Sequence, residues 1–192
     1  MTRTLPLFAL SLVLTLPARA DDPATAGAAA RGALEVVSAI ASGDYPAVVD
    51  RTVDAAVTDV GGRDQAIAAL RDGIANLRKR GATIRNVGVG TPGAPATEGT
   101  NTFVVVPTTL ELGTPQGRLL ARSYLLGVSP DAGKTWKYVE GAAVGDPAVR
   151  AKLLPKLPPA LKLPRIAAPE PLPAEKPPTT TATTLPTTRP AK

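Results

Sequence analysis

The chain contains neither histidine nor cysteine, so acid–base chemistry would fall to carboxylates, tyrosine, lysine and arginine. Their absence removes the commonest general base, thiol catalysis and most transition-metal sites. No serine lies in a Gly-x-Ser-x-Gly elbow, and a histidine-dependent triad is impossible. Gly61-Gly62 is too short to cradle a phosphate, and Gly88-x-Gly90 has no helix after it. The residues left as candidates are Tyr45, Asp50 and Asp54 on one expected helix, with Arg122, Tyr124 and Glu140 on expected strands. Arg122 and Tyr124 share a strand face with Leu120 and Leu126, which would point polar groups into an otherwise apolar cavity. A carboxylate buried there would have a raised pKa and serve as a base. The plainer alternative makes Asp50, Arg51 and Asp54 a solvated helix face and pairs Arg122 with a neighbouring carboxylate. No cofactor or metal site follows from these residues.

A second constellation is a turn. Ser129-Pro130-Asp131-Ala132-Gly133-Lys134-Thr135-Trp136 matches the Asp-box pattern, which in sialidase-type propellers recurs as a hairpin away from the active site. Asp131 can accept from nearby backbone amides, Gly133 can take positive φ, and Trp136 can clamp the turn against the body. The motif occurs once, in a chain too short for a propeller. It therefore reads as a hairpin device rather than a glycan site.

The elements that must position these residues change period along the chain. Residues 24–42 are alanine-rich, with Leu34, Val37, Ile40 and Ala41 spaced for one helix face, and Gly43 stops the helix. Asp44 caps a second helix with Pro46 in its first turn, and Tyr45, Val48, Val49 and Val53 form its apolar stripe. Residues 55–60 read as a short strand. A third helix carries Ile67, Leu70, Ile74 and Leu77 on one face and Arg78, Lys79 and Arg80 near its end, where cations suit the helix dipole. Beyond Gly81 alternation takes over. Strands are expected at 83–89, 102–112, 118–129 and 135–140. Val104, Val106, Thr108, Leu110 and Leu112 share a face of the second, and Pro107 suggests an edge or bulge. Residues 91–99 and 113–117 read as connections. Helices followed by a strand meander make an α+β domain.

This order resembles the nuclear transport factor 2-like, or SnoaL-like, superfamily. Gly43-Asp44-Tyr45 at the second helix start and Gly61-Gly62-Arg63-Asp64-Gln65-Ala66-Ile67 opening the third carry the likeness, which spans residues 24–141. The resemblance implies a curved, mainly antiparallel sheet wrapped round about three helices as a cone, with a pocket at the wide end. That superfamily includes isomerases, dehydratases and small hydrolases as well as binding and dimerisation modules, so the fold alone names no activity.

The flanks point outside the cytoplasm. Arg3, the apolar stretch Leu5 to Leu16 and Pro17-Ala18-Arg19-Ala20 read as a signal peptide cleaved after Ala20, and no later stretch is apolar enough to span a membrane. The expected organisation is a signal at 1–20, a domain at 21–144, a short helix and Pro/Leu-rich segment at 145–165, and a disordered Pro/Thr-rich tail at 166–192. Leu157, Leu161 and Leu163 are expected to pack on the domain before the chain leaves it. Charge divides unevenly. Residues 21–144 hold 12 Lys/Arg against 13 Asp/Glu, whereas residues 145–192 hold 8 against 3. A near-neutral body argues against nucleic acid as a partner. The basic tail is either a solvated extension or a contact for anionic envelope polymer. The function expected is an exported, non-enzymatic domain that binds a small apolar ligand or a protein partner, with a homodimer through the open sheet face as one arrangement. An acid–base enzyme acting on a small apolar substrate is the alternative.

Overall fold

The switch from helical to strand periodicity at Gly81 is the seam of the structure: helices precede it and an antiparallel sheet follows. The computed structural model describes residues 23–173. The expected signal peptide and the Thr-Pro tract at 179–188 lie outside the described residues. The helices are α1 (Pro23–Ser42), α2 (Tyr45–Asp50), α3 (Asp54–Asp59) and α4 (Arg63–Lys79). After them come β1 (Thr83–Val89), β2 (Ala96–Glu98), β3 (Asn101–Thr114), β4 (Gly117–Ser129), β5 (Lys137–Glu140), α5 (Pro147–Leu153) and β6 (Glu170–Leu172). The sheet runs β1-β3-β4-β5, with β2 also on β3 and β6 also on β4. The result is an α+β domain with helices packed against an antiparallel sheet.

Two long strands, β3 and β4, form the spine, and each outer edge is shared by two short strands. β1 pairs with the Thr108–Gly113 half of β3, and β2 with Asn101–Phe103. Between them the Gly90 and Gly93 amides donate to the carbonyls of Pro107 and Val105, both at 2.8 Å. Pro107 is therefore inside a central strand rather than at an edge. It is tolerated because its missing N–H points to the side of its carbonyl, where the neighbouring ladder is interrupted. On the other edge, β5 pairs with Leu125–Val128 and β6 with Arg118–Leu120. Residues 121–124 of β4 face the interval between them.

The run Phe103-Val104-Val105-Val106 is buried on both sides of the sheet. Val104 and Val106 join Ala29, Ala33, Val36, Val37, Val48, Leu125, Trp136 and Tyr138 under the helices. Phe103 and Val105 join Tyr124, Leu126, Val139, Val144, Leu153 and Leu154 on the opposite face, where Leu157, Leu161 and Leu163 pack as expected. Each fully buried apolar side chain of this size contributes about 1.5–3 kcal/mol. A homodimer through that second face would have to displace α5 and the Pro/Leu segment.

Several local expectations are corrected. In α1 the inward stripe is Ala29, Gly32, Ala33, Val36 and Val37, while Leu34 is 44% exposed. Small residues face the sheet because α1 approaches it closely. Residues 55–60 are not a strand. The extended backbone lies just upstream, where Tyr138 N–H donates to Arg51 O and Val53 N–H to Tyr138 O, at 2.7 and 3.0 Å, leaving only the parallel bridge Thr52↔Tyr138. After Val53, the Ala55-Ala56 pair and Asp54 in the first turn favour a helix, and the Thr58 hydroxyl bonds back to Asp54 O at 2.9 Å. Gly61 and Gly62 then take φ of +99° and +104°, a reversal open to glycine that starts α4. The loop expected at 91–99 contains β2, and the tail expected from 166 contains β6. Pro171 fits that strand because it is short and at an edge.

Candidate functional site

Between the helices and the sheet lies a cavity of about 600 Å³, within the roughly 300–1,000 Å³ typical of small-molecule sites. Its helical wall comes from Val36, Val37 and Ile40 of α1, Val48 and Val49 of α2, Ala56, Val57 and Val60 of α3, and Ala66, Ala69 and Leu70 of α4. The sheet supplies Val87, Thr108, Leu110, Ala121, Ser123 and Leu125. The local reason for the cavity is α4, whose only buried side chain is Ala66. Its expected apolar face of Ile67, Leu70, Ile74 and Leu77 is half-buried. The helix stands over the sheet without closing on it.

Exposed residues of the lining beside the interval between β5 and β6 mark a mouth. Arg122 and Glu140 line it, and so do Ile166, Ala167 and Pro169 of the chain leading into β6. Arg122 pairs with Glu170 of β6 at 3.6 Å, with both side chains more than half exposed. Such a pair contributes little on its own.

Of the six residues proposed for acid–base work, only Arg122 and Glu140 meet at this cavity, and both are exposed. Tyr124 is buried on the opposite face of the sheet, where its hydroxyl reaches Gly141 O at 3.4 Å and burial raises its pKa. Tyr45 lies beside the Gly43 turn. Asp50 accepts two bonds from Arg63, at 2.9 and 3.1 Å, and this pairing lowers its pKa, which makes it a poor base. Asp54 pairs with Lys137 at 3.4 Å. These carboxylates tie α2 and α3 to α4 and β5 instead of entering a pocket. Tyr138 does border the cavity, but its hydroxyl donates to Ala29 O at 2.8 Å. Among the described residues, no cluster of three or more acidic side chains is placed to hold a metal ion.

The residues missed by sequence reasoning are Ser123 and the approach to β6. The strand's odd-numbered side, Leu119, Ala121, Ser123 and Leu125, faces the helices. The even-numbered side, with Arg122 and Tyr124, does not. Both sides are apolar enough to read as inward because both are covered. Ser123 Oγ is buried without a hydrogen-bond partner among the described residues.

The Asp-box-like turn stands apart from the cavity and joins β4 to β5. Asp131 Oδ1 accepts from the amides of Lys134 and Thr135 at 3.1 and 2.8 Å, and Oδ2 accepts the Thr135 hydroxyl at 2.7 Å. Ser129 Oγ donates to Asp131 at 2.8 Å and accepts from Gly133 N–H at 2.7 Å, with Gly133 at φ +92°. Trp136 Nε1 closes the turn on Gly133 O at 3.0 Å, and its ring packs over Gly127. The Thr135 amide, then the Thr135 and Ser129 hydroxyls, hold the Asp131 carboxyl at about 2. An unfolded aspartate titrates near 3.9. Between about pH 4 and pH 2 the unfolded chain therefore binds a proton that the folded chain refuses, so this stabilisation is complete above about pH 4 and lost as pH falls through about 2. Urea unfolding across pH should show Asp131→Asn less stable than the parent at neutral pH, with the gap closing between about pH 4 and 2. A gap unchanged down to pH 2 would contradict this role.

No family model matches the chain, and no curated protein matches it. Among the described residues, no helix is long and apolar enough to cross a membrane.

Proposed function

We propose that this is an exported binding protein of nuclear transport factor 2-like fold that holds a small apolar molecule without transforming it. One observation carries the reading: the cavity of about 600 Å³ between helices and sheet has an apolar wall, and its carboxylate, Glu140, is exposed at the mouth. Apolar enclosure of this size supplies binding energy through buried area. Acid–base catalysis would instead call for a carboxylate with a perturbed pKa inside the pocket. Asp50 and Asp54, the best candidates for that role, are engaged elsewhere by Arg63 and Lys137.

The superfamily reading draws support from helices packed ahead of an antiparallel meander, with Gly61-Gly62-Arg63-Asp64 opening α4; the short strand it implies before Gly61 is replaced by α3, with one bridge at Thr52 upstream of it. Export rests on the leader pattern ending at Ala20, and intact mass of the recovered protein should place its first residue at Asp21.

Binding is tested by titrating the chain from Asp21 to Lys192 with N-phenyl-1-naphthylamine, a neutral apolar fluorophore that brightens out of water. Saturable one-site binding with a micromolar dissociation constant is expected. Fluorescence that rises linearly without saturating would overturn the proposal.

A further inference from the structure

Given the binding reading above, we infer that the ligand has an apolar body and one neutral hydrogen-bonding group, a hydroxyl or carbonyl, seated on the sheet at Thr108 and Ser123. These two residues are directly opposed across the β3–β4 ladder, and both line the cavity. Opposed residues in an antiparallel pair have Cβ atoms only about 4.5–5.5 Å apart. Two hydroxyl-bearing side chains thus share one small patch of floor, with Leu110, Ala121 and Leu125 around them. The wall supplied by the helices is almost wholly aliphatic.

Ser123 Oγ is shielded from water and has no partner among the described residues. A buried hydroxyl left unpaired is destabilising, and alanine would fit the same wall without that cost. A rotation about its Cα–Cβ bond redirects the oxygen among staggered positions. Because a hydroxyl both donates and accepts, it suits either an alcohol or a carbonyl.

The surroundings select against a charged group. Among the described residues the one cationic side chain lining the cavity is Arg122, which is at the mouth and already paired with Glu170. Glu140 adds a second carboxylate to that mouth. A ligand carboxylate on the floor would be desolvated with no free counter-charge, and the unpaired charge it would pass on entry is the like charge of Glu140. An ammonium group would leave its acceptors behind at the mouth.

The test is displacement of bound N-phenyl-1-naphthylamine from the whole chain by 1-octanol, octane, octanoate and octylammonium. In the Ser123→Ala/Thr108→Val double variant, octanol should bind about three- to tenfold more weakly than in the parent, the worth of one hydrogen bond. Octane should be unaffected. Ser123→Thr, which keeps the hydroxyl, should retain octanol affinity. Because Ser123 Oγ has no partner among the described residues, Ser123→Ala should melt no lower than the parent, so a loss of octanol binding is not a loss of folding. In the parent, octanoate and octylammonium should be the weaker competitors. An octanol affinity indifferent to both hydroxyls, or tighter binding of either ion than of octanol, would overturn the inference while leaving the binding proposal intact. Failure of the fluorophore and of octane to bind at all would overturn both.

Discussion

Gly32→Ala is expected to destabilise the protein by roughly 2–4 kcal/mol, a large effect for one added methyl group. Gly32 is buried in the middle of α1. A Cβ placed there would collide with the Tyr138 hydroxyl and come within 3.1 Å of its Cζ. That hydroxyl is bonded to Ala29 O, one turn earlier in the same helix, so the ring cannot yield without losing a buried hydrogen bond. Alanine ordinarily favours a helix over glycine by about 1 kcal/mol, and here the clash outweighs that gain. Gly73 of α4 is the control: nothing lies within 4 Å of its Cβ position, so Gly73→Ala should stabilise by about 0.5–1 kcal/mol. Adding Tyr138→Phe to Gly32→Ala should recover part of the loss, because the atom that clashes most is removed. Thermal and urea unfolding of the four proteins measure all of this. Gly32→Ala with parental stability would mean that α1 does not sit this close to β5.

The second large effect concerns binding rather than stability. Leu70→Arg should weaken apolar-probe binding by about a hundredfold, near 2.8 kcal/mol. Leu70 projects from α4 into the cavity wall and is half-buried. Arginine there both fills the space and places a charge against an aliphatic surface. Since a half-exposed position lets the guanidinium reach water, folding should suffer by no more than about 1–2 kcal/mol. Leu163→Arg provides the contrast. It lies in a separate groove of about 660 Å³ formed by α5 and the Pro/Leu segment, and it should leave probe affinity unchanged. Equal losses from the two substitutions would place binding elsewhere.

Much of this architecture was legible in residue patterns. Gly43, Asp44 and Pro46 gave the end of α1 and the cap of α2, and Asp44 does accept from Ala47 N–H at 3.2 Å. The Asp-box-like turn was legible in the roles of Asp131, Gly133 and Trp136, because its geometry is set by neighbours in sequence, though not in the bonds of the Ser129 and Thr135 hydroxyls. Errors arose where distant partners decide. Val57 and Thr58 suggest a strand by propensity, yet Tyr138 takes up the extended backbone upstream and leaves Asp54–Asp59 to helix. Leu34 fitted a helical stripe as well as Ala33 did, but only the small residue permits the close packing of α1 on the sheet.

The site was harder to read for a related reason. Alternation assigns a buried side only when one face of a strand is covered. In β4 both Leu126 and Leu125 are buried, on opposite faces, so the pattern could not say whether Arg122 or Ser123 faces the helices. The approach to β6 was invisible for another reason. Its prolines describe an extended chain correctly, but only the free outer edge of β4 at Arg118–Leu120 makes that chain a strand. Of the six expected polar residues, Arg122 and Glu140 border the cavity, while the hydroxyls of its floor were not legible.

The most direct measurement is a crystal structure of the chain with N-phenyl-1-naphthylamine bound. The rings should lie between α4 and the sheet, touching Val37, Leu70 and Leu125, with α1 and β5 unmoved. Rings found in the Leu154–Leu163 groove, or a cavity closed by collapse of α4 onto Val87 and Leu110, would contradict the account.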